Sequence, residues 1–116
     1  MIIAQEEKRT VAKIYISGPI TGNPNYKEQF AAISRMLETD GHIVVDPSVE
    51  TEGLSPRDYM RISLARLESA DEILLLPGWE NSKGAKIEKL YAEYIGLRVR
   101  EYMKKMITGK EANGRT

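Results

Sequence analysis

The chain alternates short apolar runs with segments whose apolar residues recur every three or four positions. "VAKIYIS" (11–17), "HIVVD" (42–46) and "DEILLLPG" (71–78) are rich in β-branched and aliphatic residues, and each closes at Gly or Pro. This pattern predicts three buried strands. "LRVRE" (97–101) predicts a fourth, shorter strand near the end of the chain.

Three helices are predicted between these strands. The first ends at Gly41, the second begins at the N-cap Ser55 with Pro56 in the first helical position, and the third runs from about residues 81–82 to Gly96. The apolar positions that carry the helical spacing are Tyr26, Phe30, Ile33 and Leu37 in the first helix and Met60, Leu64 and Leu67 in the second.

Alternating strands and helices predict an α/β fold with a parallel sheet. We expect a single-domain, three-layer, flavodoxin- or Rossmann-like architecture with four or five parallel strands flanked by helices. The domain is predicted to span residues 11–106, between a loose arm (1–10) and a polar tail (107–116). Ligands of such sheets bind beyond the carboxyl ends of the strands, so we expect residues 17–22, 46–47 and 77–84 to converge on one crevice.

Glu88 in the third helix lacks the cation that usually lies three or four positions from an acid on a solvated helix. Glu93 has such a partner in Lys89. At helical spacing, Glu88 falls at the edge of an apolar face that we expect to be buried. That face consists of Ile87, Leu90, Tyr91, Tyr94 and Ile95. A carboxylate at the border of a buried face indicates a function.

Composition excludes several kinds of chemistry. The 17 basic and 17 acidic residues cancel, which argues against a nucleic acid polymer or an anionic membrane as partner. The absence of cysteine excludes disulfides, thiolate metal ligands and cysteine nucleophiles, and without a His or Cys cluster we expect no metal and no cofactor. Neither a signal peptide nor a membrane span is recognisable, so we expect a cytoplasmic protein.

Two short segments are candidate ligand contacts. The "SGPITG" turn (17–22) brings backbone N–H groups close to a phosphate or sugar, or is simply a tight connection. Ser82-Lys83-Gly84 opens the third helix, where unpaired N–H groups and the helix dipole favour an anion, although Ser82 also fits an ordinary N-cap.

Other residues near the predicted crevice have two interpretations each. Asp46 caps a turn before Pro47 or contacts ligand hydroxyls. Tyr15 and Trp79 form walls for a flat base, or the tryptophan belongs to the core or an interface. The candidate substrate-binding residues are Ser17, Gly18, Pro19, Ile20, Gly22, Asp46, Pro47, Gly78, Trp79, Ser82 and Gly84.

"KIYISGPITG" and the later "DYMRISLARLESADEILLLPGWENSKGAKIEKLYA" resemble the nucleoside 2-deoxyribosyltransferase-like superfamily over roughly residues 12–99. Within it, the chain is most similar to a family of small bacterial and phage proteins with the signature LPGWE-S-GA-IE. The resemblance implies an N-glycosidase or deoxyribosyltransferase in which Glu88 attacks the anomeric carbon of a nucleoside or nucleotide and expels the base. Ser63 and Tyr15 complete the catalytic candidates, and no metal is implied.

Two departures from that pattern change the expected ligand. Relatives have an aspartate that holds and protonates the leaving base eight residues before the position of Asp71, where this chain has Ser63. True deoxyribosyltransferases tend to have an acid at Ser82, whereas relatives acting on 5′-monophosphates have serine. The resemblance therefore implies a nucleoside 5′-monophosphate as the small-molecule partner.

Two alternatives to an enzyme stay open: a nucleotide-binding or sequestering module with little turnover, and a structural domain in which Glu88 pairs with a distant arginine. The resemblance also implies a homodimer or a higher homo-oligomer that shares its pockets. The candidate contact residues are Tyr59, Met60, Tyr91 and Tyr94.

Overall fold

The structure, a computed structural model, describes residues 11–47 and 52–102. These residues contain four strands: β1 (Lys13–Ser17), β2 (Ile43–Val45), β3 (Glu72–Leu75) and β4 (Arg98–Glu101). All four are parallel and form one sheet in the order β2-β1-β3-β4. The predicted α/β class and parallel sheet are confirmed. The predicted arm (1–10) and tail (107–116) lie outside the described residues.

Three α-helices connect the strands: α1 (Tyr26–Thr39), α2 (Pro56–Glu68) and α3 (Lys83–Tyr94), with a short 3₁₀ turn, Trp79–Asn81, before α3. The two predicted N-caps are confirmed. The Ser55 hydroxyl accepts a hydrogen bond from the backbone N–H of Asp58 (3.1 Å), and the Ser82 hydroxyl accepts one from the backbone N–H of Ala85 (3.2 Å). Each cap satisfies one N–H group that has no partner within its helix.

The helices cover the two faces of the sheet in separate layers. On one face, α1 packs Phe30, Ile33 and Leu37 against the side chains of β1 and β3 that point toward it. On the other face, Leu67 of α2 and Ala92 of α3 pack against the side chains that point the opposite way. Successive strand residues point to opposite faces of the sheet, and helices cover both faces. Every residue of β3 is therefore buried. This is the predicted three-layer architecture.

The strand order places a topological switch point between β1 and β3. The chain runs outward from β1 to β2, and outward from β3 to β4, so the carboxyl ends of β1 and β3 open a crevice. Gly18 follows β1 at this point, where a Cβ atom would lie 2.8 Å from Cβ of Leu76. A glycine is therefore needed here for the close approach of the two chain segments after β1 and β3.

Two strands are shorter than the apolar runs that predicted them. The run at 71–78 yields only Glu72–Leu75, because Pro77 cannot donate to a ladder and Gly78 turns the chain at a φ of 91°. The run at 11–17 begins pairing at Lys13. Its first residue, Val11, is exposed instead of lying in the sheet.

The predicted orientation of α3 was wrong. The apolar side chains of Ile87, Leu90 and Tyr94 are 46%, 66% and 88% exposed, so the face expected to be buried lies in solvent. The buried residues of α3 are Ala85, Glu88 and Ala92. Small alanines allow the helix to approach the sheet closely, and the carboxylate between them finds hydrogen-bond donors there. Glu88 is consequently in the interior and not at an edge.

No helix within residues 11–47 and 52–102 combines the length and the apolar character needed to cross a membrane.

Candidate active site

The Glu88 carboxylate is held at both of its oxygens by hydroxyl groups from β1. The Ser17 hydroxyl donates to Oε1 at 2.6 Å, and the Tyr15 hydroxyl donates to Oε2 at 3.0 Å. Tyr15 and Ser17 are two residues apart on one strand, so both point to the face that α3 covers. Glu88 itself is only 8% exposed. The arrangement fixes a single orientation of the carboxylate above the end of β1.

Burial and hydrogen bonding act on this carboxylate in opposite directions. Burial raises the pKa of Glu88 above its ordinary value of 4.5, whereas hydrogen bonds from Ser17, Tyr15 and Ser63 lower the pKa. Burial is the largest of these causes. The three hydroxyls therefore provide the polar surroundings that an ionised carboxylate needs inside the protein.

The phenol of Tyr15 is a donor in this site and not a base. Its burial and the neighbouring Glu88 carboxylate raise the pKa of Tyr15 well above 10.0. Tyr15 is fully buried beneath α3, so its ring does not form a wall of an open pocket. Tyr15, one of the predicted catalytic residues, thus contacts Glu88. A base cannot stack on the Tyr15 ring, because the ring is fully buried.

A cleft of about 960 Å³ opens beside Glu88 at the carboxyl end of the sheet. Its walls come from the loop after β1, the segment before α2, the first turns of α2 and the start of α3. The predicted site residues that line it are Gly18, Pro19, Ile20, Pro47, Ser63, Ser82, Gly84 and Glu88. Segments far apart in sequence therefore meet in one crevice, as the strand ends predicted, and the cleft is large enough for a nucleotide-sized molecule.

Six other predicted site residues lie elsewhere. Ser17 and Tyr15 are behind Glu88, out of contact with the cleft. Gly78 packs against Pro19, and Gly22 is exposed on a turn. The last two, Asp46 and Trp79, face other parts of the molecule.

Asp46 and Trp79 contact other side chains of the protein outside the cleft. The Asp46 carboxylate accepts a hydrogen bond from the hydroxyl of Ser34 on α1 (3.1 Å), and it does not line the cleft. The Trp79 ring packs against the core beneath α2 and α3, with the Lys89 ammonium 5.5 Å from its centre. The core interpretation of the tryptophan therefore describes its position.

Several cleft residues carried no signal as ligand contacts in the sequence. Tyr26 and Tyr59 present aromatic rings, and Arg57 presents a cation at the start of α2. Lys83, which belongs to the predicted Ser82-Lys83-Gly84 segment, presents a second cation at the start of α3. Arg57 is the second residue of α2, directly after the N-cap Ser55 and Pro56. Its position at the start of a helix that borders the crevice is the signal that could have identified it. Glu52, the other acid of the lining, pairs with Lys27 at 2.9 Å.

Asp46 and Asp58 are two acids that could take over the role of the missing aspartate, but neither lines the cleft. Asp46 is turned toward α1, and Asp58 is absent from the lining although Arg57 and Tyr59 belong to it. Among residues 11–47 and 52–102, no three His, Cys, Asp or Glu side chains cluster in a way that could hold a metal ion.

The fold is that of 2-deoxyribosyltransferases. A structure described as "2-desoxiribosyltransferase from Leishmania mexicana" superposes with a TM-score of 0.64 at 17% sequence identity, over 78% of this chain and 63% of the other. The 2-deoxyribosyltransferase from the psychrotolerant bacterium Bacillus psychrosaccharolyticus superposes with a TM-score of 0.62 at 21% identity, over 84% of this chain and 81% of the other. This chain thus spans less than two thirds of the Leishmania enzyme. A search of curated protein sequences finds no match.

The sequence also matches a family profile, described as "Domain of unknown function (DUF4406)", over residues 12–101. The chain belongs to this family. The matched segment contains every strand and helix of the fold and all the residues around Glu88.

Proposed function

We propose that this protein is an N-glycosidase that cleaves the N-glycosidic bond of a nucleoside or deoxynucleoside 5′-monophosphate, with Glu88 as nucleophile. The observation that carries the proposal is the Glu88 carboxylate itself. It is buried, it is held by two hydroxyl groups at 2.6 and 3.0 Å, and it borders a cleft at the switch point of the sheet. A carboxylate kept in one orientation beside a ligand-sized space fits nucleophilic attack on a sugar.

In this reaction one oxygen of the Glu88 carboxylate forms a bond to the anomeric carbon of the sugar. The bond between that carbon and the base nitrogen breaks, and the base leaves with the electron pair and takes up a proton. Water then attacks the anomeric carbon, releases the Glu88 carboxylate and loses a proton to solvent. If a second base replaces water, the same intermediate gives base exchange. Ser17 and Tyr15 orient the carboxylate throughout and contact the cleft only through it.

The start of α3 supports a phosphate group as part of the ligand. Ser82, Lys83 and Gly84 line the cleft at the N-terminus of this 12-residue helix, where the helix dipole favours an anion. Arg57 adds a second cation from the start of α2. A 5′-phosphate placed between these elements would leave the anomeric carbon to face the second turn of α3, where Glu88 lies.

One observation favours a second candidate, a nucleotide-binding module with slow turnover. Ser63 lines the cleft where the resemblance places an aspartate, and a hydroxyl is a poor general acid near neutral pH. The described acids of the lining are Glu88 and Glu52, and Glu52 is exposed and paired with Lys27. A binder of this kind would hold nucleotides without releasing base at a useful rate.

A base-release assay tests the proposal and separates the two candidates. Purified protein is incubated with each common deoxynucleoside 5′-monophosphate and the matching nucleoside, and free base is quantified by chromatography. Thermal-shift measurements on the same compounds report binding. Base release that disappears in Glu88→Gln supports the enzyme, binding without release supports the module, and neither binding nor release would contradict both.

A further inference from the structure

The groups that hold the Glu88 carboxylate are hydroxyls. Ser17 and Tyr15 donate to its two oxygens at 2.6 and 3.0 Å, and the Ser63 hydroxyl also hydrogen-bonds to it. Of these three, Ser63 is the one that lines the cleft. A hydroxyl can orient a carboxylate, but it is a poor proton donor near neutral pH. A substrate whose departing base needs a proton therefore does not obtain it from these groups.

The charged side chains of the described cleft lining are of both signs. Arg57 and Lys83 lie at the starts of α2 and α3, where the proposed function places the phosphate. The acids are Glu52 and Glu88. Glu52 is exposed and shares its charge with Lys27, so Glu88 provides the buried negative charge. The cleft thus suits a ligand that carries an anion at one end and a cation near the Glu88 carboxylate.

Aromatic and apolar side chains provide other parts of the lining. Tyr26 and Tyr59 present rings, and Ile20 and Met60 present aliphatic surface. The Tyr26 ring already has the Lys27 ammonium 6.0 Å from its centre, which is the geometry of a cation–π contact. Such walls accept a cationic ring before the reaction and a neutral ring after it, whereas an anionic leaving group beside them is costly.

We propose that the preferred substrates are 5′-mononucleotides whose base carries a positive charge on the ring bonded to the sugar, as in a pyridinium or an N-alkylated purine. This inference rests on the proposed function, with Glu88 as the nucleophile. One oxygen of Glu88 forms a bond to the anomeric carbon while the bond from that carbon to the ring nitrogen breaks. The electron pair stays on the nitrogen and cancels the positive charge of the ring, so the base leaves neutral and takes up no proton. Water then attacks the anomeric carbon, releases the carboxylate and gives a proton to solvent.

An uncharged base behaves differently in the same cleft. It leaves as an anion unless a proton reaches it, and solvent then has to supply that proton. A general acid typically contributes about 10²–10⁴-fold to the rate of such a step. A site that surrounds its nucleophile with hydroxyls should therefore discriminate between charged and uncharged bases by a factor of this size.

Matched pairs of nucleotides test the proposal. 7-Methylguanosine 5′-monophosphate differs from GMP by a methyl group and the positive charge that it creates, and nicotinamide mononucleotide differs from its uncharged dihydro form by a hydride. Free base is quantified by chromatography after subtraction of the release without protein, and the guanine pair is used with ribose and with deoxyribose. In at least one pair, kcat/KM should be at least about a hundredfold higher for the charged member. Glu88→Gln should lose release from both members.

Two further measurements connect the preference to the proton. Ionisation of Glu88 in the free protein affects kcat/KM of both members equally, so their ratio reports the proton on the base alone. The ratio should rise as the pH rises towards neutrality, because only the uncharged base depends on solvent protons. Ser63→Asp supplies an acid and should lower the ratio by at least about tenfold. Ser63→Asn has the same size without an acidic proton and should not lower it.

The outcomes separate this inference from the proposed function. Similar kcat/KM for charged and uncharged members, with release that is lost in Glu88→Gln, would overturn the preference and leave Glu88 as the nucleophile, since the proton would then come from another group. A ratio that neither pH nor Ser63→Asp changes would also overturn it, because the preference would then come from the shape of the ring. No release from any of these nucleotides would contradict the proposed function together with this inference.

Discussion

The proposed chemistry of this protein depends on one buried carboxylate and the hydroxyl groups around it. Glu88 accepts hydrogen bonds from Ser17 and Tyr15, and Ser63 lies on the cleft side of the same carboxylate. A buried acid is costly unless it is hydrogen-bonded. The surroundings of Glu88 therefore fit a residue that must become charged, and each hydroxyl has a role that a substitution can separate from the others.

Replacing the proposed nucleophile should abolish base release without abolishing binding. Glu88→Gln keeps the size of the side chain but removes its negative charge and replaces one accepting oxygen with a donating NH2 group. Base release should fall by at least about a thousandfold, since the loss of a covalent nucleophile removes the reaction path itself. Single-turnover chromatography measures release, and thermal shift with the same nucleotide confirms binding. Unchanged release would exclude Glu88 as the nucleophile.

Ser17 should control the pH at which the proposed activity appears. Its hydrogen bond to Oε1 lowers the pKa of Glu88, and Ser17→Ala removes that bond, so the pKa of Glu88 should rise further. The nucleophile has to be ionised, and the acid limb of the kcat profile should move to higher pH while activity at alkaline pH changes less. Ser69→Ala, at the C-terminal end of α2 where the hydroxyl bonds the Arg66 carbonyl, is the control and should leave the profile in place. A uniform loss at all pH values would show that Ser17 acts through packing alone.

Ser63→Asp tests whether the proposed reaction lacks a general acid that protonates the leaving base. Ser63→Asp places a carboxyl group in the cleft next to Glu88, where two nearby carboxylates favour protonation of one of them. General acids typically contribute about 10²–10⁴-fold, so base release should increase if the pocket accepts the change. Single-turnover rates of both forms across pH provide the measurement. A fast native enzyme that becomes slower with Ser63→Asp would indicate that the proton comes from another group.

The sequence was informative about Glu88 but not about its contacts. The absence of a helical ion-pair partner distinguished this residue from Glu93, the other acid of α3, and that absence reflects its burial. Ser17 was predicted to touch the ligand because it ends a strand, yet alternation along β1 directs its hydroxyl to Glu88. Which of two plausible partners a short side chain reaches depends on distances of a few ångströms, and spacing along the chain does not determine them.

At the scale of elements, the strands and helices could be predicted because local signals agree with the tertiary fold. Proline and an N-cap begin α2, glycine follows α1 and α3, and the apolar runs coincide with buried strands. The orientation of α3 could not be predicted from its apolar spacing. Its larger apolar residues lie outside, and its alanines pack on the sheet, because close packing of a helix on a sheet favours small side chains.

The start of α3 should discriminate between nucleotides and nucleosides. Ser82→Asp preserves the N-cap, since aspartate is as good a capping residue as serine, but it adds a negative charge beside the proposed phosphate position. Binding of a 5′-monophosphate should weaken by about tenfold or more, as expected for the loss of a charge-assisted contact. The nucleoside should bind as before.

Calorimetry or fluorescence titration gives the dissociation constants of the nucleotide and the nucleoside, and thus their ratio. Circular dichroism checks that α3 is intact. Equal weakening of nucleotide and nucleoside binding would indicate that Ser82 contacts the sugar or base and not a phosphate.

At the scale of the whole molecule, the charge that the proposed reaction needs on Glu88 lowers the stability of the fold. Burial raises the pKa of Glu88 in the folded state above 4.5, its ordinary value, so folding is less favourable when this group is ionised. The stability linked to Glu88 is fully present below the unfolded-state pKa. It decreases as the pH rises from that value through the raised pKa. Above the raised pKa the protein therefore folds with a charged interior group that the proposed reaction requires and stability does not.

This opposition predicts that Glu88→Gln will be inactive and yet more stable than the native protein at neutral pH. The amide cannot ionise, so it avoids the cost of burying a charge. Its oxygen can accept a hydrogen bond from the hydroxyl of Ser17 or Tyr15, and its NH2 group can donate to the oxygen of the other hydroxyl. Urea unfolding at fixed protein concentration should give a higher free energy of unfolding for Glu88→Gln at neutral pH. The difference should shrink as the pH falls below the ordinary glutamate value, where the native carboxyl is also neutral. Glu38→Gln, an exposed residue on α1, should change stability little at any pH. A native protein that is more stable than Glu88→Gln at neutral pH would contradict this prediction. It would mean that the hydrogen bonds from Ser17 and Tyr15 more than offset the cost of burying the charge, and that Glu88 also stabilises the packing of α3 on β1.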